Sequence, residues 1–177
     1  SLIYWRILRI HHEYDTLISR TRFSSVLFFL SIVLLLVLYI QIFSGGLVAG
    51  IDAGTAYNEW PLMNGQVLPG ESFDLLPIWV NFFDNSALVQ FNHRILGYLI
   101  FFLVLMFFIT ATYDKNPAVK RSSRYLLLVA TFQVCLGIMT ILSEAELLYA
   151  ALHQAGGMIF LITVLNSLFI SSRYKNV

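Results

Sequence analysis

Four apolar stretches dominate this sequence, at roughly 24–48, 92–113, 124–142 and 149–171. A helix needs about 20 apolar residues to cross the hydrocarbon core of a bilayer. Within that core a segment must satisfy its own backbone hydrogen bonds, and the sequence lacks the alternating ten-residue strands of a membrane barrel. The sequence therefore predicts an all-α integral membrane protein that forms a bundle of four transmembrane helices.

Composition supports a membrane protein and argues against several soluble classes. Of the 177 residues, 58% are hydrophobic and only 12% are charged, which a soluble domain with a polar surface would not show. The net charge of +1 gives no indication of nucleic-acid binding. The single cysteine, Cys135, excludes an internal disulfide and a cysteine-rich metal site. We therefore expect a lipid membrane, and no nucleic acid, among the partners.

The distribution of positive charge predicts the orientation. Arg94 is the only one of the 11 lysines and arginines that does not precede the first span, follow the fourth, or lie between the second and third. Short cytoplasmic segments accumulate such cations, so both termini are expected on the cytoplasmic side. Residues 1–23 then form an N-terminal segment on that side, residues 24–177 the membrane domain, and residues 49–91 a long outer loop. The start at Ser1, without a signal-peptide pattern, suggests a piece of a longer protein.

A faint internal repeat relates the first two spans to the last two. The first pair contains 41-QIFSG-45 and 93-HRILG-97, and the second pair contains 133-QVCLG-137 and 153-HQAGG-157. Pseudo-symmetric repeats in membrane proteins often place a shared site at their interface. The repeat therefore predicts a site between the two hairpins.

His93 and His153 are the candidate ligands at this site. Residues four apart share a helix face, so Gly97 and Gly157 remove side-chain bulk one turn from each histidine. Two imidazoles could then face each other across a flat ligand. Haem iron held by two axial histidines is the predicted occupant.

Several alternatives stay open at this stage. The histidines could be hydrogen-bonded interfacial residues without a ligand. Zinc needs three or four ligands and would have to recruit Glu144 and Glu146. Arg94 suits a haem propionate because its guanidinium matches a carboxylate, but it could equally form an ion pair with Asp52, Asp84 or another loop acid.

Three motifs match a known family in order and spacing: 45-GGLVAGIDAGTAYNEWPLMNGQVLP-69, 88-LVQFNHRILGY-98 and 151-ALHQAGG-157. From about Ser44 onward the chain resembles the C-terminal half of the heme A synthase family, most closely its alphaproteobacterial and mitochondrial branch. The resemblance implies one half of an eight-helix, pseudo-symmetric enzyme that oxidises a methyl group of heme O to the aldehyde of heme A for cytochrome oxidase. It also implies a multi-pass protein of the bacterial cytoplasmic membrane or the mitochondrial inner membrane.

The resemblance further implies a division of labour. In the family the N-terminal half is thought to bind the substrate haem and carries a glutamate three residues before its first histidine, where this chain has Gln90. An amide cannot serve as a general acid or base; it can only hydrogen-bond, to His93, a propionate or the outer loop. This chain then resembles the cofactor half, with no confident catalytic residue of its own and with haem b between His93 and His153.

The implied haem-contacting set and partners follow from the same resemblance. The set comprises His93, His153, Arg94, Gln90, Gly97 and Gly157. The partners would be the N-terminal half with its heme O, an electron donor such as a ferredoxin system, and heme O synthase or cytochrome oxidase assembly factors. A bis-histidine cytochrome b and a non-haem membrane scaffold remain as other classes.

Overall fold

The computed structural model describes residues 2–11 and 22–172. Within these ranges the chain forms six α-helices: α1 (Leu2–His11), α2 (Arg22–Gly50), α3 (Asn81–Asp84), α4 (Ser86–Thr112), α5 (Pro117–Leu142) and α6 (Leu147–Ser172). Three short 3-10 helices lie between α2 and α4, at Ala53–Thr55, Gly70–Phe73 and Ile78–Val80. The described ranges contain no β-strand, only an isolated bridge between Met63 and Gln66.

Four of the helices are long and apolar enough to cross a membrane. The spans are Ser25–Gly50, Ser86–Thr112, Pro117–Leu142 and Leu147–Ser172. Large apolar side chains on these helices face outward: Phe29 is 65% exposed, Phe102 58% and Leu128 66%. Such exposure suits hydrocarbon as the surrounding solvent rather than water. The predicted all-α membrane fold with four spanning helices is confirmed.

Two helices begin earlier than the apolar pattern predicts, because polar residues cap them. The sequence predicts spans from about residues 92 and 124, whereas α4 begins at Ser86 and α5 at Pro117. The side-chain oxygen of Asn85 accepts bonds from two backbone N–H groups of the first turn of α4, at 2.9 and 3.3 Å. Asn116 accepts one at the start of α5, at 2.9 Å, and Pro117 needs no N–H partner there. Polar caps extend each helix beyond its hydrophobic stretch.

The chain divides into two compact units, and each of the four long helices contributes a segment to both. The unit called here the serine unit comprises the described residues within Ser1–Val37, Ile100–Thr131 and Met158–Val177. The unit called here the histidine unit comprises Leu38–Leu99 and Phe132–Gly157. Both candidate ligands and the long α2–α4 loop, residues 51–85, belong to the histidine unit.

Pairs of serines connect helices within the serine unit. The hydroxyls of Ser31 on α2 and Ser171 on α6 are 3.3 Å apart, and those of Ser122 on α5 and Ser167 on α6 are 2.7 Å apart. Small residues let membrane helices approach closely, and their hydroxyls bond across the contact. The fully buried apolar side chains of this unit include Leu34, Val104, Phe107, Leu126 and Val164.

The α2–α4 loop is a folded segment with its own buried groups. Tyr57 and Met63 form a small core with Ala87 of α4, and Phe91 packs against it. Asn81 is fully buried. Its amide donates to the backbone carbonyls of residues 75 and 78, at 2.8 and 2.9 Å, and its oxygen accepts from the N–H of residue 75 at 3.0 Å. The side chain of Asn81 therefore holds the backbone of residues 75–78 in place.

Candidate functional site

The structure brings the two predicted ligands together. His93 lies on α4 and His153 on α6, with ring centres 6.4 Å apart and ring planes at 83°. Both residues are partly buried, and the Nδ1 atom of His93 is buried without a hydrogen-bond partner in the described structure. The two imidazoles therefore lie next to each other within the histidine unit.

Each imidazole packs against a glycine of the neighbouring helix in its own hairpin. A Cβ atom added to Gly45 would lie 3.1 Å from Cε1 of His93, and one added to Gly137 would lie 3.0 Å from Cε1 of His153. A larger residue at either glycine would have to displace the ring. Both glycines are visible in the sequence repeat, but the repeat alone does not place them against the histidines.

A glutamine of each hairpin bonds the imidazole of the same hairpin, through different ring nitrogens. Gln41 Nε2 is 3.2 Å from Nε2 of His93, and Gln133 Nε2 is 3.1 Å from Nδ1 of His153. Gln133 Nε2 also donates to the backbone carbonyl of His153, at 2.7 Å. Sequence reasoning identifies both glutamines as part of the repeat without assigning them to the site. Their spacing, four residues before the glycine that contacts the ring, is the signal that could have found them.

Gly97 and Gly157 give room to these glutamines. A Cβ atom on Gly97 would lie 3.6 Å from Gln41 Nε2, and one on Gly157 would lie 3.5 Å from Gln133 Nε2. The neighbouring Gly156 is tighter, because a Cβ there would overlap with the amide oxygen of Gln133. The sequence predicts that Gly97 and Gly157 make space for a flat ligand, whereas the atoms nearest to them belong to the amides.

Arg94 is buried, and it bonds the α2–α4 loop. It is 7% exposed. Its terminal nitrogens donate to the backbone carbonyls of Tyr57 at 2.9 Å, Glu59 at 2.9 Å and Leu62 at 3.1 Å. The two roles left open by the sequence, a propionate contact and an ion pair with a loop acid, are thus joined by a third one that the structure shows. Arg94 holds the backbone of residues 57–62 against the start of α4.

Gln90 completes this contact between loop and helix. Its side chain is 2% exposed, donates to the carbonyl of Ala53 at 2.6 Å and accepts from Arg94 at 2.5 Å. Of the three partners that sequence reasoning allows for Gln90, the structure shows the loop. Arg94 and Gln90 together are called here the latch. The latch has no counterpart beside His153, where the residue following the histidine is the exposed Gln154.

A second polar contact in the loop joins Tyr57 and Glu71. The phenol of Tyr57 donates to the carboxylate of Glu71. Burial, and then the bond to and the charge of Glu71, raise the pKa of Tyr57 to about 12. The same bond lowers the pKa of Glu71. At neutral pH the pair is therefore a neutral phenol bonded to a carboxylate.

The donor set suits haem better than zinc. Among the described residues no group of three or more histidines, cysteines or acids is placed to hold a metal ion. A metal–imidazole bond is about 2.0 Å and a ring nitrogen lies about 1.1 Å from its ring centre, so two rings on opposite sides of one ion have centres about 6 Å apart. The observed 6.4 Å matches that distance. Neutral imidazole is also a donor that haem iron accepts in proteins.

A family model described as COX15-CtaA, cytochrome oxidase assembly protein, matches residues 1–165. The chain belongs to this family. Three curated relatives, given below, are each named heme A synthase. The protein from Ruegeria sp. (strain TM1040) is 34% identical over 171 residues, which cover 97% of this chain and 45% of that protein. The protein from Paracoccus denitrificans (strain Pd 1222) is 36% identical over 168 residues, 94% of this chain and 44% of that protein.

A third relative, from Rhizobium meliloti (strain 1021), is 42% identical over 123 residues, 68% of this chain and 33% of that protein. These matches confirm the predicted membership of the chain in the heme A synthase family. The chain spans less than half the length of these curated relatives. No solved structure gives a match.

Proposed function

We propose that this chain is the cofactor half of a heme A synthase and binds haem b through His93 and His153. The observation that carries the proposal is the pair of imidazoles with ring centres 6.4 Å apart in a chain of this family. It is supported by the repeated surroundings of the two rings, each packed against a glycine and bonded by a glutamine. The enzyme as a whole would oxidise heme O to heme A for cytochrome oxidase.

The residues of the site have separate tasks in this proposal. When bound, haem b would supply reversible one-electron transfer, and His93 and His153 would hold its iron. Gly45 and Gly137 allow the rings to lie directly against the neighbouring helix. The neutral amide of Gln90 bonds the loop, so it offers no proton for general acid–base chemistry. We therefore assign this half to electron relay and expect heme O oxidation in the other half.

Partners and orientation belong to the same proposal. The chain would work with the N-terminal half of the enzyme, an electron donor such as a ferredoxin system, and heme O synthase or cytochrome oxidase assembly factors. Lys115, Lys120 and Arg121 flank the turn between α4 and α5, which supports a cytoplasmic or matrix location for that turn. Both termini would then lie on that side of a bacterial cytoplasmic or mitochondrial inner membrane.

Optical spectroscopy of the detergent-purified chain tests the proposal directly. Oxidised and dithionite-reduced spectra after haemin titration should show a low-spin b-type haem, identified by pyridine haemochrome extraction. His93→Ala and His153→Ala should each abolish the low-spin spectrum, because either change removes one of the two residues that would hold the iron. His12→Ala, within the predicted N-terminal segment 1–23, is the control for loss of a histidine and should retain the wild-type spectrum.

Three other outcomes would overturn the proposal in different ways. A low-spin spectrum that survives in either alanine variant would disprove the ligand assignment. Heme O or heme A in the extract of the purified chain would mean that substrate or product binds here, against the division of labour between the halves. A wild-type chain that takes up no haem would instead favour a non-haem scaffold.

A further inference from the structure

Residues 75–83, near the end of the α2–α4 loop, present apolar side chains to their surroundings. Leu76 is 87% exposed and Trp79 61% exposed, and Ile78, Phe82 and Phe83 are exposed as well. The sequence has no charged residue within this stretch. Contiguous exposed apolar side chains mark a surface that binds something apolar. The segment therefore calls for an apolar partner.

The polar side chains of the same region point inward. Asn81 is fully buried, and its bonds to residues 75 and 78 hold the backbone of the segment. The amide of Asn85 donates to Oδ1 of Asn81 at 3.0 Å and to the carbonyl of Glu71 at 2.7 Å. A loop that water surrounds has the reverse arrangement, with its polar side chains outside. The segment is thus built for an apolar solvent, with its polar groups bonded internally.

An apolar groove connects the segment to the membrane-spanning helices. It lies within the histidine unit, and its lining includes Ile40 and Phe43 of α2, Phe82 and Phe83 of α3, and Ile95 of α4. All five side chains are exposed. On the spanning helices α2 and α4, exposed apolar side chains of this kind face hydrocarbon. The lipid-facing surface of the spans therefore continues onto α3.

Helix length gives the depth of this groove. The span of α2, Ser25–Gly50, has 26 residues and is about 39 Å long, about 9 Å more than the hydrocarbon core. When the span is centred, Gly50 projects about 5 Å beyond the core, and Phe43, seven residues earlier, lies about 5 Å within it. Phe82 and Phe83 line the same groove as Phe43, so α3 lies at the level of the hydrocarbon boundary.

We propose that residues 75–83 lie in the interface of the bilayer on the side of the long loop, with their exposed apolar side chains in contact with lipid. The apolar faces of interfacial segments enter the boundary between headgroups and acyl chains by about 5–10 Å. Asp74 and Asp84, at the two ends of the stretch, are exposed and would stay among the headgroups. The inference is independent of haem binding.

Lipid fits this surface better than a second copy of the chain or another protein. A specific protein interface typically carries about 10 direct hydrogen bonds. Within residues 75–83, the polar side chains are those of Asn81, which is buried and bonded within the loop, and Trp79. Tryptophan is also the side chain that membrane–water interfaces favour, because its ring is apolar and its N–H is polar.

Spin labelling in phosphatidylcholine nanodiscs tests the proposal. In a Cys135→Ser background, a nitroxide is attached at Leu76→Cys, at Ile78→Cys or at Gln66→Cys, all exposed positions of the loop. Gln66 is the control because its neighbour Gly65 bonds the carboxylate of Glu59, a charged group that needs water. The ratio of collisions with oxygen to collisions with a water-soluble nickel complex should be severalfold higher at 76 and 78 than at 66.

Two results of this measurement would overturn the proposal. A ratio at 76 and 78 equal to that at 66 would show that the segment lies in the same environment as the rest of the loop. Few collisions with either probe at 76 and 78 would show that a second copy of the chain covers the segment. Gel filtration of each labelled variant should match the unlabelled chain, since only exposed positions carry the label.

The fluorescence of Trp79 provides a second test without a label on the protein. The Trp5→Phe/Trp60→Phe variant retains Trp79 as its only tryptophan. We expect its emission to be blue-shifted relative to tryptophan in water. Lipids that carry a nitroxide near the glycerol end of an acyl chain should quench it severalfold more than aqueous iodide does. Stronger quenching by iodide would place Trp79 in water and overturn the proposal.

Discussion

The two hairpins of this molecule present the same site residues but are closed in different ways. The first, α2 and α4, is connected by residues 51–85, which are folded around Tyr57, Met63 and buried asparagines. The second, α5 and α6, is connected by residues 143–146 alone. Each hairpin nevertheless sets a histidine against a glycine and a glutamine. The surroundings of each histidine therefore come from the helix faces and not from the connection.

The connections differ in the polar groups that they bury. The first hairpin carries a buried cation, Arg94, whose terminal nitrogens bond loop carbonyls. The second turn buries no such group and closes by backbone geometry, with positive φ at Glu144 and Ala145. A long loop needs specific bonds to stay folded, whereas a short turn needs only the right dihedral angles. The latch is thus what distinguishes the two repeats.

Loss of the latch is expected to have the largest effect on stability. Arg94→Met leaves the three loop carbonyls that Arg94 bonds without their donor, at about 1–3 kcal/mol each. We expect a destabilisation of about 3 kcal/mol or more and rapid proteolysis within residues 51–85. The position after the second histidine provides the control: Gln154→Met should change stability by less than about 0.5 kcal/mol. Equal melting temperatures for the two variants would contradict the importance of the latch.

Overpacking against the histidine rings is expected to have the second largest effect on stability. The added Cβ of Gly45→Ala or Gly137→Ala would press on Cε1 of a histidine, from 3.1 and 3.0 Å. Each change should destabilise the chain by about 1–3 kcal/mol and weaken haem binding, because the ring must shift. Gly46→Ala is the matched control, since its Cβ meets nothing within 4 Å. If only one of the two site variants lost haem, the repeats would not be equivalent around their ligands.

The Tyr57–Glu71 pair makes the first connection sensitive to pH. Because the folded pKa of Tyr57 is raised to about 12, its contribution is complete below the ordinary value of 10.0 and is lost as pH rises through about 12. Because the pKa of Glu71 is lowered from 4.5, its contribution is present above that value and is lost as pH falls through the lower, folded pKa.

Hydrogen exchange of the first connection measures this dependence on pH. Amides of residues 51–85 should lose relative protection in the detergent-purified chain between pH 10 and 12, after correction for the intrinsic exchange rate. Tyr57→Phe should remove that alkaline step, because phenylalanine cannot ionise. An alkaline step that persists in the phenylalanine variant would assign it to another group.

The smallest expected effect lies in the turn of the second hairpin. Glu144 has a φ of 57°, and Ala145 bonds back to the carbonyl of Thr140 at 2.8 Å, a helix end that favours glycine at the left-handed position. Glu144→Gly should therefore stabilise the chain by up to about 1 kcal/mol. Thermal unfolding beside Glu146→Gly, at a residue of the same turn without a positive φ, would measure it. A lower melting temperature for Glu144→Gly would show that the turn is not strained.

Much of the fold is predictable because a bilayer tolerates few alternatives. The four spans follow from apolar length alone, and their ends at Gly50 and Leu142 lie close to the predicted ones. Hydropathy predicts the starts of α4 and α5 less well, because each start depends on a single asparagine side chain that bonds backbone N–H groups. The motif Asn-Pro at 116–117 is a capping signal that a search for helix starts could have used.

In the candidate site, too, a sequence pattern predicts some residues, but it does not predict their contacts. Four-residue spacing identifies His93 with Gly97 and His153 with Gly157 in the sequence, because residues four apart share one face of a helix. Arg94 illustrates the limit. Its acceptors are backbone carbonyls of the loop, which every residue possesses, so no sequence pattern reveals them.

The sequence by itself determined the membrane class, the four helices, the repeat and the family, because lipid solvation and helical periodicity act on residue type and spacing. Only the tertiary structure decided that the glutamines bond the imidazoles, that the glycines at 45 and 137 lie behind the rings, and that Arg94 and Gln90 hold the loop. Those relations depend on which atoms meet when helices and loop pack together. Hydrogen-bond partners far apart in the chain are chosen by that packing, and residue identity alone does not specify them.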